Sequence, residues 1–457
     1  MRVTPKATRF SHRFEETDLE KIREFKLDVL FRAGFGILRG GILTAAKYGV
    51  WSYHNGDNRA NRGGPAGFWE VFENWPATGS ILQILSEDLD NGTILYESHS
   101  ATVPNVRQNQ NGFFWKSLSF FPRRLKELHA VGEEKFFERV KELNQHKRFY
   151  SNRLYVIPTN SKLAVPLAKH IARRIKSKIV GRCFFDQWFL MYDFREGMST
   201  SFWRFKKLVP PKDRFWADPH VVYRDGKYHI FFEEYPYAAR KGHISLITMD
   251  SKGNHTEPVK VLERPYHLSY PFVFEWEGNH YMIPESCANR SIEVYKCTRF
   301  PDQWEFHKTL MTDILAADAT LFHHANTWWL FAAVMENEQS MLASDELFLY
   351  YADNPLSDRW TAHPRNPVVS DARKARPAGN LFESNGNLYR PSQNCTGRYG
   401  YGMKINHILR LDKTEYREKE VDSVEPHWEK STIGVHTINH AHRLTMIDGL
   451  QKRWRVR

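Results

Sequence analysis

The sequence predicts two architectures in one chain: an α/β layer first, then an all-β propeller of five blades. Three observations predict them. Strand-like and helix-like apolar segments alternate over residues 27–102. Short hairpins then recur at a spacing of about fifty residues, with turns at Asp225-Gly226, Glu277-Gly278, Ala325-Asn326, Asn385-Gly386 and about Ala441-His442. The chain is also rich in rings, with 31 Phe, 20 Tyr and 14 Trp, which suit pleated sheets and also the faces of sugars. A length of 457 residues exceeds one ordinary domain. The pattern divides it into 1–115, a helical and basic stretch 116–185, and 186–457.

In the first region "LDVLFRAGFGIL" (27–38) reads as a strand. "GILTAAKYG" (41–49) reads as a short helix stopped by Gly49, "VWSY" (50–53) as a buried strand, and "GPAGFWEVFENW" (64–75) as a helix. "TGSILQILS" (78–86) and "GTILYESHSAT" (92–102) read as two more strands. "GFGILRGG" lacks the glycine spacing of a dinucleotide loop. In the second region, 123–145 carries helix formers of mixed charge, and 162–182 is a basic amphipathic helix.

The net charge is +12. No nucleic-acid motif accompanies it, so nucleic acid is not an expected partner. The basic helix either packs as a linker with a solvated face or lies on an anionic membrane surface. No apolar run approaches the ~20 residues of a membrane span, and the start lacks the apolar segment of a signal peptide. The expected location is the cytoplasm, with peripheral membrane contact through 162–182. Four cysteines, Cys183, Cys287, Cys297 and Cys395, form no CxxC pair. No metal site is therefore expected, and the thiols read as buried and reduced.

In the third region each hairpin is a few apolar residues, a Gly- or Asn-type turn, and an aromatic-rich strand. The strand 186–194 is expected to complete the last blade and close the ring. First strands of blades point to the axis, so residues seven places before each turn are comparable. They are Asp218, Tyr270, Asp318 and Ala378. A second comparable point gives Glu234 and Glu285, with Arg376 and His436 near the fourth and fifth inner strands. Such acids either cap strands and pair with Arg376 and nearby histidines, or converge as a ligand site that can do acid–base work on a glycosidic bond, which needs one protonated and one ionised carboxyl.

On these residues, "FWADPHVV" and the inner acids resemble the five-bladed propellers of glycosidases acting on furanosides, arabinans and fructans. More closely, "QWFL", "RFWADPHVVYRDGKYHIFFEEY", "MIPES", "ADATLF", "RPAG" and "GVHT…IDG" resemble the propeller that forms the N-terminal part of plant glucosamine inositolphosphorylceramide transferases. The resemblance implies a carbohydrate or nucleotide-sugar ligand. Tyr270 stands where the glycosidases would carry a carboxylate, so transfer or binding is expected as readily as hydrolysis.

The first region resembles 10-formyltetrahydrofolate-dependent formyltransferases, whose sheet is of Rossmann type. The matching residues are His54, then Arg62-Gly63, then Asp90 in "LDNGTIL", with Ser52 in place of the family's Asn. The resemblance implies His54 as acid/base, Asp90 as its partner, Ser52 at the oxyanion, Arg62 and Gly63 at the substrate, and 10-formyltetrahydrofolate as cofactor. About 26 residues precede the first matching strand, so that sheet is expected to be incomplete. The combined reading is formyl transfer to an amino sugar in bacterial surface polysaccharide synthesis. Its alternatives are a propeller glycosyltransferase or glycoside hydrolase beside an inactive first region, and a glycan-binding protein.

Overall fold

Each expected hairpin is present in the computed structural model, and each belongs to a separate antiparallel sheet. The structure describes residues 3–8, 11–34, 36–88, 91–340 and 344–455. The chain divides into two units, Met1–His170 and Ile171–Arg457.

In the second unit, blade 1 pairs Arg214–Arg224, Lys227–Pro236, His243–Met249 and Val259–Leu262 in sequence order. Blade 2 pairs Ser269–Trp276, Asn279–Ser286, Ser291–Arg299 and Gln303–Thr312 in the same way. Blade 3 follows from Ala316–His324 to Thr361–Ala362, and blade 4 from Phe382–Ser384 to Tyr416–Val424. Blade 5 joins both ends of the unit. Thr432–Gly434 and Ile438–Ala441 pair with Leu444–Trp454, which pairs with Phe184–Phe194, which pairs with Lys206–Leu208. The expected closing strand is thus in place, and closure leaves the ring no open seam.

The turns explain the hairpins. Asp225-Gly226, Glu277-Gly278, Ala325-Asn326 and Asn385-Gly386 all have positive φ at both positions. This is the turn whose twist matches the flanking strands. The fifth turn is His442-Arg443, one residue later than expected. Five apolar clusters then fill the five blade interfaces. Alternation along each strand feeds two of them: Ile230 and Phe232 pack toward blade 5, and Phe231 toward blade 2.

The first unit holds a four-stranded sheet. Leu30–Arg32 runs parallel to Val50–His54, and Ala77–Ile84 and Thr93–Ala101 follow antiparallel. Only one of its three pairings is parallel, so a Rossmann sheet is not shown. Trp51, Leu82 and Leu95 pack against Phe120, Phe136 and Val140 of the helices Phe120–Val131 and Glu133–Leu143. The expected helix at 41–49 is only the 3-10 turn Gly41–Thr44, and that at 64–75 only Trp69–Phe72. The expected helix 123–145 is broken at Gly132, whose φ is 80°. Of the four thiols only Cys395 is buried, and Cys183 is exposed.

Blade 4 contains a buried ion pair. Arg390 donates to both carboxylate oxygens of Glu418 (2.9 and 2.8 Å) and to the Lys374 carbonyl (2.8 Å). Both side chains are buried, 1% and 4% exposed. Arg390→Ala is expected to lower unfolding free energy by about 3–5 kcal/mol, because Glu418 is left as an uncompensated buried charge. Chemical denaturation of the two proteins measures the difference.

Candidate functional site at the propeller axis

The inner strands of three blades break register at the same place. The breaks lie between Ala217 and His220, Ser269 and Phe272, and Ala317 and Thr320. Each break holds a non-glycine residue at positive φ: Asp218 (52°), Tyr270 (41°) and Asp318 (54°). Such backbone costs about 1–3 kcal/mol per residue and clusters at functional sites. Blade 4 has Ala378 there, followed by Gly379 at φ 122°. A Cβ on Gly379 would lie 1.8 Å from the Ile438 carbonyl oxygen, so only glycine fits.

Counting seven residues past each turn gives the second inner position: Glu233, Glu285, Ala333 and Gln393. The expected residue Glu234 is one place off. Pairing sets Glu233 against Ala217 and Glu285 against Ser269, which are equivalent positions. Glu234 faces the other way, into blade 1. It accepts from Arg214 (2.8 Å), His243 (3.2 Å), Ser245 (2.6 Å) and Trp216 (3.3 Å). Burial would raise its pKa, but these donors outweigh burial and bring it down to about 2. Glu234 therefore ties the blade together.

Two polar groups meet at the axis. In the first, Arg376 Nε and Nη2 donate to Asp318 (2.6 and 3.0 Å), and Nη2 also reaches Glu285 (3.0 Å). Gln393 Nε2 donates to the same Asp318 oxygen at 2.7 Å. Burial lifts the Asp318 pKa to about 7, with Glu285 adding and Arg376 opposing. In the second, Asp448 accepts from the amides of His436 (2.9 Å), Thr437 (3.1 Å) and Asp218 (3.1 Å). His436 lies between two acids: Nδ1 is 2.8 Å from Asp448, off the hydrogen-bond direction, and Nε2 is 3.3 Å from Asp218. Thr437 donates to Asp218 at 2.7 Å.

Burial raises the Asp218 pKa to about 6, with Asp318 and Asp448 adding and His436 opposing. Burial alone would lower His436, yet the charges of Asp448 and Asp218 outweigh it and hold its pKa above the usual value. Glu233 is lifted well above the carboxylate range by burial, then by Asp218, Glu285 and Asp318. Tyr270 is not a vacancy in the set. Its hydroxyl bonds Thr320 (2.9 Å) and accepts from the Gly379 amide (2.8 Å), so it braces blades 2, 3 and 4. Aromatic faces sit at the same site: Trp188 is 4.1 Å from the His436 ring, and Arg376 lies over the exposed Tyr399 at 5.1 Å.

The axis thus brings together Asp218, Glu285, Asp318, Arg376 and His436, as expected. It adds Glu233, Asp448 and Gln393, which the sequence reading missed. Asp218, His436 and Asp448 each offer one ligand atom within 4.8 Å of one another, a spacing a cation can bridge. Asp57, Glu97 and His99 do so in the first unit. In both groups the carboxylates are already engaged by donors of the chain.

In the first unit Ser52 and His54 share one strand. The Ser52 hydroxyl is buried, accepts from Arg32 (2.9 Å) and donates to the Tyr53 carbonyl (3.2 Å). His54 Nε2 lies 3.0 Å from the Asn61 carbonyl oxygen. Arg62 and Gly63, expected at a substrate, are taken up by the fold instead. Arg62 donates to the carbonyls of Asn58 and Arg148 (both 2.8 Å), and a Cβ on Gly63 would meet the Tyr155 carbonyl oxygen at 1.8 Å. Asp90, the expected partner of His54, lies outside the described residues.

A protein from Oryza sativa subsp. japonica is 34% identical over 211 residues, covering 46% of this chain and 28% of that protein. One from Arabidopsis thaliana is 33% identical over 210 residues, covering 45% and 27%. Both are named glucosamine inositolphosphorylceramide transferase 1. The chain spans less than a third of the length of these relatives. Among solved structures, the catalytic domain of a Coprinopsis cinerea family 62 α-L-arabinofuranosidase matches at a TM-score of 0.40 and 12% identity, covering 53% of this chain and 94% of that one. A family 117 glycoside hydrolase from Zobellia galactanivorans gives 0.37, 13%, 59% and 90%. Formyl transfer and a bacterial source gain no support from these matches. A family model described as "Glucosamine inositolphosphorylceramide transferase 1, N-terminal" matches residues 208–452, more than half of the sequence, and the chain belongs to that family.

Proposed function

We propose that the propeller axis binds an amino sugar and serves its transfer to an acceptor hydroxyl. The observation that carries this reading is the unequal protonation of neighbouring acids. Asp218 has a pKa of about 6, while Glu233 is held well above the carboxylate range. Burial and the neighbouring acids therefore hold Glu233 toward its acid form more strongly than Asp218, the asymmetry that glycosyl chemistry requires.

The roles follow from that difference. The acceptor O–H attacks the anomeric carbon and gives its proton to Asp218. The bond from the anomeric carbon to the leaving oxygen breaks, and Glu233 supplies the proton that the leaving oxygen takes up. Glu285 and Asp318, fixed by Arg376, face the positive charge that develops on the sugar. The faces of Trp188 and Tyr399 suit the C–H side of a pyranose. The amino sugar is read from the name of the plant relatives and from charge: five acids, Asp218, Glu233, Glu285, Asp318 and Asp448, gather around Arg376 and His436. With water in place of the acceptor, the same pair would hydrolyse the donor. Formyl transfer at His54 rests on resemblance alone.

Two measurements test the reading. With a nucleotide-linked hexosamine and inositolphosphorylceramide in detergent, the rate against pH is expected to be bell-shaped. It rises as Asp218 ionises through about 6 and falls as Glu233 loses its proton at higher pH. Asp218→Asn is expected to remove the acid limb, Glu233→Gln the alkaline limb, each with a loss of about a hundredfold or more. Unchanged rates in both variants, or free sugar as the sole product, would count against transfer at this site. Hexosamine binding without turnover would leave a binding protein.

The second measurement reads His436 by NMR of its ring carbons. Its pKa is expected above that of a free imidazole and lower in Asp448→Asn, since Asp448 is the strongest of the charges that raise it. An unchanged titration in the variant would mean that Asp448 does not set the charge beside Asp218.

A further inference from the structure

The helix Asn160–Cys183 serves no core. Among the described helices of ten or more residues, it alone has no buried residue. Its larger apolar side chains recur every fourth residue, at Leu163, Leu167, Ile171, Ile175 and Ile179. Ile171, Ile175 and Ile179 are 47%, 53% and 57% exposed. Just before the helix, Ile157 is 79% exposed. Apolar surface of this extent marks a place where something else docks.

Spacing and charge decide what docks there. On a helix of 3.6 residues per turn, each four-residue step advances about 40°, so the stripe sweeps about 160° from Leu163 to Ile179. Val165, Ala168 and Ala172 fall at or beside the same arc, and so do Arg174, Lys178 and Arg182, whose long side chains can lie along the apolar surface and reach out to phosphates, while Lys162, Lys169, Arg173 and Lys176 occupy the opposite face. A coiled-coil partner needs a narrow seam with a period of 3.5, and this band is too wide for one. Between 160 and 183 there are seven Lys and Arg residues, Lys162, Lys169, Arg173, Arg174, Lys176, Lys178 and Arg182, and no Asp or Glu. A second copy of the helix would oppose seven cations with seven. A nucleic acid would satisfy the cations and leave the isoleucines in water. An anionic bilayer satisfies both, taking the apolar band at the acyl boundary and the cations at lipid phosphates.

We propose that Asn160–Cys183 is a membrane-surface helix that seats the protein on an anionic leaflet. No helix among the described residues is long and apolar enough to cross a membrane, and Asn160–Cys183, with its seven cations, is proposed to lie on the surface. The proposal is independent of the chemistry read at the propeller axis.

Vesicle flotation of the full chain tests it. Phosphatidylcholine vesicles containing phosphatidylserine are expected to carry the protein. Pure phosphatidylcholine, or high salt, is expected to reduce the bound fraction about tenfold or more. Ile171→Asp with Ile175→Asp is expected to abolish binding, and Lys169→Glu with Lys176→Glu to weaken it. Thermal unfolding of both variants should match the parent, because these side chains are exposed. Equal binding to neutral and anionic vesicles, or retained binding in the isoleucine variant, overturns the proposal. So does absence of vesicle binding, whether light scattering shows a dimer that the isoleucine variant loses or the chain retains duplex RNA instead.

Discussion

The second unit depends on one pairing. Phe184–Phe194 runs beside Leu444–Trp454 over eleven residues, joining the start of the unit to its end. Every other part of the site presupposes it. The axial side chains come from all five blades: Asp218 from the first, Glu285 from the second, Asp318 from the third, Gln393 from the fourth, and Asp448 from the fifth. Asp448 itself lies on the closing strand and accepts the backbone amide of Asp218 in blade 1. The seam of the ring and the floor of the site are therefore one structure.

A ring of this kind can carry an unusual load of buried charge. Taking a carboxylate out of water costs several kcal/mol unless partners surround it. Here each acid is braced from a different blade: Asp318 by Arg376 and Gln393, and Asp218 by Thr437 and His436. Three positive-φ residues add backbone strain at the same radius. Five apolar interfaces offset these costs, and they lie outside the axis, where strand alternation places them. Strain and charge sit at the centre because the rigid surroundings leave them no relaxed alternative.

The sequence made the blades legible because the turn chemistry is restrictive. Two consecutive positive-φ residues demand Gly, Asn or Asp in most cases, so "RDGK", "WEGN" and "SNGN" announce themselves. Counting back from them gives Asp218, Tyr270 and Ala378, and the Ala325-Asn326 turn gives Asp318. Glu233 was misread as Glu234 because adjacent strand residues point to opposite faces, and a slip of one residue exchanges them. Counting seven forward from the turn would have chosen Glu233. Asp448 is not picked out by the repeat, because the fifth turn, His442-Arg443, lacks glycine and the sequence pattern places it one residue early. The first unit was harder to read. Its short helices depend on tertiary packing rather than on periodicity, and propensity alone overstated their length.

Protonation and ligand charge at the axis are linked. Glu233 keeps its proton because of burial and because Asp218, Glu285 and Asp318 repel a further negative charge. A cation placed among these acids would weaken that repulsion and release the proton. A hexosamine ammonium therefore cannot sit against Glu233 if Glu233 is to donate a proton. On the proposed reading it would lie on the side of Asp218, whose carboxylate gains from it. An acetylated sugar, carrying no charge, escapes this constraint and leaves Glu233 protonated wherever it binds. Proton release on binding of the free amine, and none on binding of its acetylated form, would place the ammonium against Glu233 and remove the proton that the leaving oxygen needs; no release with either sugar fits an ammonium held on the far side of the coupled acids.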